Sequence, residues 1–361
     1  MEEKCCTKCL SLKIENVANQ SLDILEFLQL QASGIPVLDV RTPAEFASGH
    51  IPGALNLPLF DDEERKIIGT IYKQVSREKA ILQGLELVGP RMADLAKQGI
   101  SHAVEKKVLV HCWRGGMRSS SLAWLLNLMG IETLTLRRGY KNFRKYVLQT
   151  FTHPYQFTIL GGKTGSAKTR FLAELQKRGE QMIDLEGLAF HRGSAFGAIG
   201  QSQRQTQEQF ENELAVKLRA FDPDKTIWIE DESRHVGSKI IPMEIWENMR
   251  HSRVLFLDFA QDVRIEYLKE EYGQIQNMEF LKKAFFDIKK RLGDVSYNDA
   301  IKALDSNDLT SACKIALDYY DKAYEYGLSK RDQYTIQKIK LDNLNIEFAV
   351  NQILMEKSCQ I

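Results

Sequence analysis

Hydrophobic positions along the chain fall into short, dense runs separated by polar, glycine-bearing loops. Residues 37–41 (VLDVR) form one such run and read as a buried strand. Thr42 follows as a cap and Pro43 as a first helical position, so a helix opens through Ala44, Glu45 and Phe46. Residues 49–54 (GHIPGA) make a turn into 55–58 (LNLP). The spacing predicts a second strand at 107–111 (KVLVH), an amphipathic helix from Ser119 to Met129 stopped by Gly130, and a strand at 132–136 (ETLTL). Strand, loop, helix, strand is the α/β pattern of a parallel sheet. The pattern restarts at 156–160 (QFTIL), passes through a glycine-rich loop into a helix at 170–177, and adds short strands at 181–183 and 226–229 (TIWI). Roughly the last hundred residues read as helical. Two α/β domains are therefore expected, at 10–148 and 154–361, the second ending in a helical part.

Bulk properties narrow the function classes. A chain of 361 residues is too long for one small domain, and 43% hydrophobic residues suffice for real cores. A net charge of +1 with 27% charged residues argues against a highly charged, disordered chain, while leaving room for a local basic face. No apolar run is long enough to span a membrane and no secretory signal is evident, so the cytoplasm is the expected compartment. The six cysteines are not spaced as a disulfide framework. Cys5, Cys6 and Cys9 crowd the N-terminus, and the single C-x-x-C there lacks the second ligand pair of a zinc site, so the cluster reads as a frayed terminus.

Cys112 is different. It ends the second strand, and its loop (Trp113, Arg114, Gly115, Gly116, Met117, Arg118) runs straight into a helix. Inward-pointing N–H groups and a helix N-terminus form an anion seat at the carboxyl edge of an open sheet. Arg114 and Arg118 add positive charge, and all three effects are expected to favour the Cys112 thiolate. From Cys112 to Arg118 the loop is cysteine, five residues, arginine.

The second loop, about fifty residues further on, holds no cysteine. Gly162, Lys163, Thr164, Gly165, Ser166, Ala167, Lys168 and Thr169 fit G-x-x-x-x-G-K-[ST], except that Ala167 stands where the second glycine belongs. Backbone N–H groups would cradle a diphosphate, Lys168 would reach its oxygens and Thr169 could hold Mg²⁺. A left-handed backbone at Ala167 would cost roughly 1–2 kcal/mol. Glu230 and Asp231, at the end of the 226–229 strand, are the acids expected to help hold Mg²⁺. A dense polar segment carrying Asp184, Glu186, His191, Arg192 and Ser194 suits a substrate clamp beside the phosphates.

The first domain resembles the rhodanese family through Asp39, Val40 and Arg41, Glu45 and Phe46, residues 49–54 and the Cys112 loop. Asp39, Arg41 and His50 look structural in that family. A related phosphatase family uses the longer loop length found here, which suits a tetrahedral anion. Adding residues 161–169, Asp184 to Gly187, residues 191–197 and residues 230–234 (EDESR), the ordered set resembles the bacterial tRNA 2-selenouridine synthase family. The likeness runs from about residue 35 to at least 335.

That resemblance implies a transferase that replaces the sulfur of wobble 2-thiouridine in tRNA by selenium. It implies selenophosphate as donor, geranyl diphosphate as a second substrate and an S-geranyl intermediate. The Cys112 loop would then bind selenophosphate or carry selenium, and the second loop would bind the diphosphate, with Mg²⁺ assisting. No tightly bound cofactor and no membrane partner are implied. Phe190, Phe196 and the Trp228 strand are candidates for a prenyl pocket. Lys282, Lys283, Lys289, Lys290, Arg291, Lys330 and Arg331, with Tyr319, Tyr320, Tyr324 and Tyr326, are candidates for RNA contact. Two other readings compete: a nucleotide-dependent sulfurtransferase acting on tRNA, and an RNA-binding module with a degenerate loop.

Overall fold

The computed structural model describes residues 20–190, 205–273 and 278–358. Cys5, Cys6, Cys9 and Cys359, and the clamp and pocket candidates His191, Arg192, Ser194 and Phe196, lie outside the described residues. The chain divides into two compact units between Tyr146 and Val147.

The first unit carries a five-stranded sheet. Its elements are β1 (Ser21–Leu22), α1 (Ile24–Ala32), β2 (Val37–Asp39), α2 (Pro43–Ser48), β3 (Leu55–Asn56), α3 (Asp62–Gln74), α4 (Arg77–Val88), α5 (Met92–His102), β4 (Lys107–His111), α6 (Met117–Leu128), β5 (Glu132–Leu136) and α7 (Gly139–Phe151). The last helix runs across the division. The strand order is β1-β5-β4-β2-β3, with all pairs parallel. Leu38, Val108, Val110, Leu122 and Leu126 join one core, and Cys112 lies within it. Thr42 caps α2 as expected: its hydroxyl accepts from Glu45 N–H while Glu45 accepts from Thr42 N–H.

The second unit repeats the theme. Its elements are β6 (Phe157–Gly162), α8 (Lys168–Lys177), β7 (Gln181–Ile183), α9 (Leu185–Leu188), α10 (Gln207–Arg219), β8 (Ile227–Glu230), the hairpin β9 (His235–Val236) and β10 (Lys239–Ile240), α11 (Met243–His251), β11 (Arg253–Phe259), α12 (Gln261–Gly273), α13 (Met278–Leu292), α14 (Asp294–Asp305), α15 (Leu309–Ser329), β12 (Ile336–Leu341) and α16 (Ile346–Ser358). Its main sheet has the order β12-β11-β6-β8-β7, again parallel throughout. The expected α/β class with parallel sheets holds in both units.

Two regions differ from the sequence reading. Helices α3 to α5 fill the stretch between β3 and β4, where no element was expected. The helical C-terminal part is interrupted by β12, which pairs with β11 from Ile336 opposite Val254 to Leu341 opposite Phe259. Of β12 only Ile339 and Leu341 are buried, as suits an edge strand with one wet face. Strand β11 itself (RVLFLDF) is buried along most of its length and sits beside β6. None of the described helices is long and apolar enough to cross a membrane.

Candidate functional site

Strand β4 lies between β5 and β2, so its carboxyl end opens at the middle of the sheet edge, where the Cys112 loop begins. Gly115 adopts φ +63°, and a Cβ there would stand 2.6 Å from the Leu136 carbonyl oxygen. That close approach folds the loop back over β5, so only glycine fits. Cys112 Sγ accepts the Gly116 N–H at 3.3 Å and lies 3.3 Å from Ser119 Oγ. Burial opposes ionisation of the thiol, but the Ser119 hydroxyl and the N–H groups of Gly116, Ser119 and Arg114 outweigh it. Together they hold the thiol below its ordinary range. The sequence reading expected backbone N–H groups, the helix terminus and the charges of Arg114 and Arg118 to act together; the N–H groups do, joined by the Ser119 hydroxyl.

The arginines have other places. Arg118 is held by Glu45, with Nη1 2.6 Å from Oε2 and Nη2 3.3 Å from Oε1. Arg114 is exposed, as are Trp113, Gly115, Gly116 and Met117. Arg41 is fully buried, pairs with Asp39 at 2.6 Å and donates to the Gly49 carbonyl. Its guanidinium lies 3.7 Å above the Tyr140 ring and 5.8 Å from the Trp113 ring, so it braces the loop from below. His50 bonds the Phe46 carbonyl and stacks on the Phe46 ring. Ser119 and Tyr140 were not given a role from sequence, and Glu45 was named only for the family resemblance and the helix it opens, not as the partner of Arg118.

In the second unit β6 lies between β11 and β8, and its loop opens at the corresponding edge. Gly165 has φ +81°, and a Cβ there would lie 3.1 Å from the Arg264 carbonyl and from Leu268 Cγ. Ala167 is left-handed, at φ +54° and ψ +29°. Its methyl group is buried in the core with Phe171 and Leu172, which offsets part of the roughly 1–2 kcal/mol backbone cost. Lys168 Nζ donates to the Gly162 carbonyl at 3.0 Å, so the ammonium folds over the loop. Ser166 Oγ donates to the Lys163 carbonyl at 2.7 Å and Thr169 is exposed in the first turn of α8.

Helix α15 supplies partners that sequence did not show. Tyr324 Oη accepts from Gly162 N–H at 3.0 Å and donates to Asp231 at 2.8 Å. Lys163 pairs with Glu325 at 2.6 Å. Arg264 pairs with Asp321 at 2.7 Å and donates to the Thr164 carbonyl at 3.0 Å. Asp231 also takes Arg331 at 2.5 Å. With both oxygens so engaged, Asp231 anchors α15 and the chain beyond it, which departs from its expected place at Mg²⁺.

The carboxylates that do converge are Glu186, Glu230 and Glu232, each offering an oxygen within 4.8 Å of the others. Glu186 comes from α9, Glu230 ends β8 and Glu232 follows it. Both oxygens of Glu230 are buried without a hydrogen-bond partner, and the residue is fully buried. Desolvation first, then Glu186, Glu232 and Asp184, push its carboxyl well above the usual range, against the pull of Lys168. Glu232 is pushed up to about 8 by desolvation and by Glu186, with which it shares a hydrogen bond. Oxygen-only ligands of this kind suit a hard divalent cation such as Mg²⁺. Asp184 caps α9, accepting from Gly187 N–H at 2.7 Å.

The remaining candidates are mostly structural. Trp228 is core and donates to Glu180, while Phe190 is exposed. Arg331 is buried, Lys282 pairs with Glu279 and Asp305, Lys289 pairs with Asp294, and Tyr319 packs edge-on against Tyr320. Lys283, Lys290, Arg291, Lys330 and Tyr326 stay exposed.

Comparison with known proteins places this geometry. The family model of the tRNA 2-selenouridine synthase AAA domain matches residues 155–352, and that of the rhodanese-like domain matches residues 23–146. A curated tRNA 2-selenouridine synthase of Hydrogenovibrio crunogenus is 34% identical over 344 residues, covering 85% of this chain and 92% of its own. One from Photobacterium profundum is 35% identical over 339 residues, covering 84% and 92%. One from Cupriavidus pinatubonensis is 34% identical over 349 residues, covering 86% and 93%. A cysteine loop on one parallel sheet, a glycine- and lysine-bearing loop on another, and identity above 30% over most of the chain agree: this chain belongs to the tRNA 2-selenouridine synthase family of enzymes.

Proposed function

We propose that the protein is a tRNA-modifying transferase. It converts wobble 2-thiouridine to 2-selenouridine by way of S-geranyl-2-thiouridine, using geranyl diphosphate and selenophosphate. The observation that carries this reading is the pairing of two chemically different anion loops, one centred on an activated sulfur and one on lysine and backbone N–H groups.

In the first step the thiocarbonyl sulfur attacks the allylic carbon of geranyl diphosphate. The C–S bond forms as the C–O bond breaks, diphosphate leaves, and the uridine N3 proton is released to water. The loop from Gly162 to Thr169 binds that diphosphate, and Lys168 stabilises its developing charge. Mg²⁺, held by Glu186, Glu230 and Glu232, would neutralise further charge on the leaving group. Asp184 keeps α9, and so Glu186, in position.

In the second step the selenium of selenophosphate attacks C2 of S-geranyl-2-thiouridine: the C–Se bond forms as the C–S bond breaks, the sulfur leaves as geranylthiol on taking a proton, and water then cleaves the Se–P bond to give phosphate and 2-selenouridine. The Cys112 loop seats selenophosphate, a tetrahedral anion that matches the loop length. Trp113 to Arg118 supply the N–H groups and charge, and Glu45 fixes the Arg118 side chain. Selenium in selenophosphate is already fully reduced, whereas a perselenide on Cys112 would need a two-electron oxidant. The loop is therefore a seat for the donor, with the Cys112 thiolate at its floor.

The test is mass spectrometry of nucleosides from 2-thiouridine tRNA incubated with the purified protein, Mg²⁺, geranyl diphosphate and selenophosphate. S-geranyl and seleno products are expected. Unchanged 2-thiouridine, with turnover appearing only when ATP is supplied, would instead support a nucleotide-dependent sulfurtransferase.

A further inference from the structure

The helices that follow β11 do not close into a single core. Leu281, Phe285, Leu304, Ala312 and Ala316 form one cluster across α13, α14 and α15. Ile265, Leu268 and Leu317 form a second across α12 and α15. Between them lies a narrow cleft, partly open to solvent, with about 40 Å³ of interior space. Its walls are Leu268, Phe285, Leu304, Ala312, Ala316 and Leu317, and it reaches Thr164 of the diphosphate loop.

Loop and cleft share a wall. Gly165 packs so closely on α12 that a Cβ would lie 3.1 Å from Leu268 Cγ, and Leu268 lines the cleft. Arg264, one turn earlier on α12, donates to the Thr164 carbonyl. A ligand whose diphosphate lies in the loop therefore has an apolar channel beginning at the loop itself. A nucleotide needs hydrogen-bonding groups for its sugar and base. This lining is almost wholly hydrocarbon, and Cys313 within it is so desolvated that its thiol is pushed up to about 11. A hydrocarbon tail needs no such groups, and its narrow section suits a cleft between helices.

We infer that the cleft between α12, α13, α14 and α15 holds the hydrocarbon tail of a prenyl diphosphate whose diphosphate occupies the loop at Gly162 to Thr169. The inference rests on the diphosphate reading above and names the subsite that selects the donor. It replaces Phe190 and Trp228 as the prenyl-binding residues. The two alanines, Ala312 and Ala316, lie one helical turn apart on α15 and set the width of the cleft.

Two measurements on the full chain test this. A geranyl diphosphate analogue with a photoreactive group at the tail end, irradiated on the unaltered protein, is expected to label α12, α13 or α15. Labelling confined to the neighbourhood of Phe190 or Trp228 would overturn the assignment. Ala316→Phe, confirmed folded by circular dichroism, is expected to weaken geranyl diphosphate binding at least tenfold while pyrophosphate binding stays within twofold. Cys313→Phe, at a half-buried position, is expected to act the same way. Unchanged geranyl diphosphate affinity in the folded variants would place the tail elsewhere and leave the diphosphate site standing. If the unaltered protein binds geranyl diphosphate no more tightly than pyrophosphate, or binds ATP more tightly, the diphosphate-donor reading fails and the cleft assignment with it.

Discussion

The loop after β4 and the loop after β6 occupy the same place in their sheets, at the carboxyl end of an interior strand that feeds a helix. Their chemistry diverges in how charge is handled. Around Cys112 the stabilising groups are neutral donors, Ser119 and backbone N–H groups, and Arg118 is shared with Glu45. Around Lys168 the groups are formal charges: Lys163 shared with Glu325, Arg264 shared with Asp321, Lys168 itself, and the cluster of Glu186, Glu230 and Glu232. The Cys112 thiol is held below its ordinary range by hydrogen bonds from neutral donors. A leaving diphosphate carries far more charge, and cations near it do proportionate work. The contrast teaches that one sheet edge can serve either task, with the loop's own donors deciding which.

The largest effect expected is at Lys168. Lys168→Ala should lower geranyl transfer by roughly 10²–10³-fold, measured as S-geranyl nucleoside formed per minute. A smaller loss would mean that the second loop leans on other groups and resembles the first more than it differs.

The acidic cluster should show next. Glu230→Gln removes a desolvated carboxyl that Glu186 and Glu232 repel, so the metal-free protein should be more resistant to denaturant at pH 8 than the unaltered protein. It should at the same time need more Mg²⁺ for geranyl transfer. The pH dependence follows from the raised carboxyl of Glu232, which holds its proton up to about 8 in the folded chain and loses it near the ordinary glutamate value when unfolded. The folded state then binds more protons across that window, so metal-free stability should fall as pH rises from the ordinary glutamate range towards 8. Mg²⁺ competes with those protons, so its affinity should rise over the same interval. Calorimetric melts from pH 5.5 to 8.5, with and without Mg²⁺, check both signs. A flat profile would remove the cluster from the charge-rich half of the comparison.

Ser119→Ala sharpens the other half. Loss of the Ser119 hydroxyl should raise the Cys112 thiol towards its ordinary range, and the pH profile of iodoacetamide alkylation should move upward. An unmoved profile, with the protein folded, would mean that backbone N–H groups alone activate the sulfur. The smallest effect is at Glu45. Glu45→Gln should cost about 0.5–1 kcal/mol of stability through the weakened cap and ion pair, read as a slightly lower Tm. Selenium incorporation should fall while geranyl transfer stays.

Much of this was legible in the chain because both loops are local. Cys112 to Arg118 and Gly162 to Thr169 are contiguous, and a strand before and a helix after each is written in the spacing of apolar residues. Even the strain at Ala167 could be read from its place in the motif. What stayed hidden depends on long-range packing. Tyr324, Asp321 and Arg264 meet the second loop from more than ninety residues away, and nothing in their local sequence points there. Asp231 and Glu230 are neighbours at a strand end, and only alternation across the sheet decides that Glu230 joins Glu186 while Asp231 turns to Arg331. Edge strand β12 was hidden by its polar alternate positions among long helices. The apolar cleft exists only because four helices fail to close, which no single segment encodes.

The central claim is that the two loops perform separate steps, and one crossed experiment measures it. Cys112→Ala and Lys168→Ala proteins are each given 2-thiouridine tRNA and, separately, tRNA already carrying S-geranyl-2-thiouridine, with geranyl diphosphate, selenophosphate and Mg²⁺, and the nucleosides are quantified by mass spectrometry. Cys112→Ala should accumulate the S-geranyl product and form no 2-selenouridine from either tRNA. Lys168→Ala should fail on 2-thiouridine tRNA yet convert the pre-geranylated tRNA at close to the unaltered rate. Equal loss of both steps in both folded variants would contradict the division of labour.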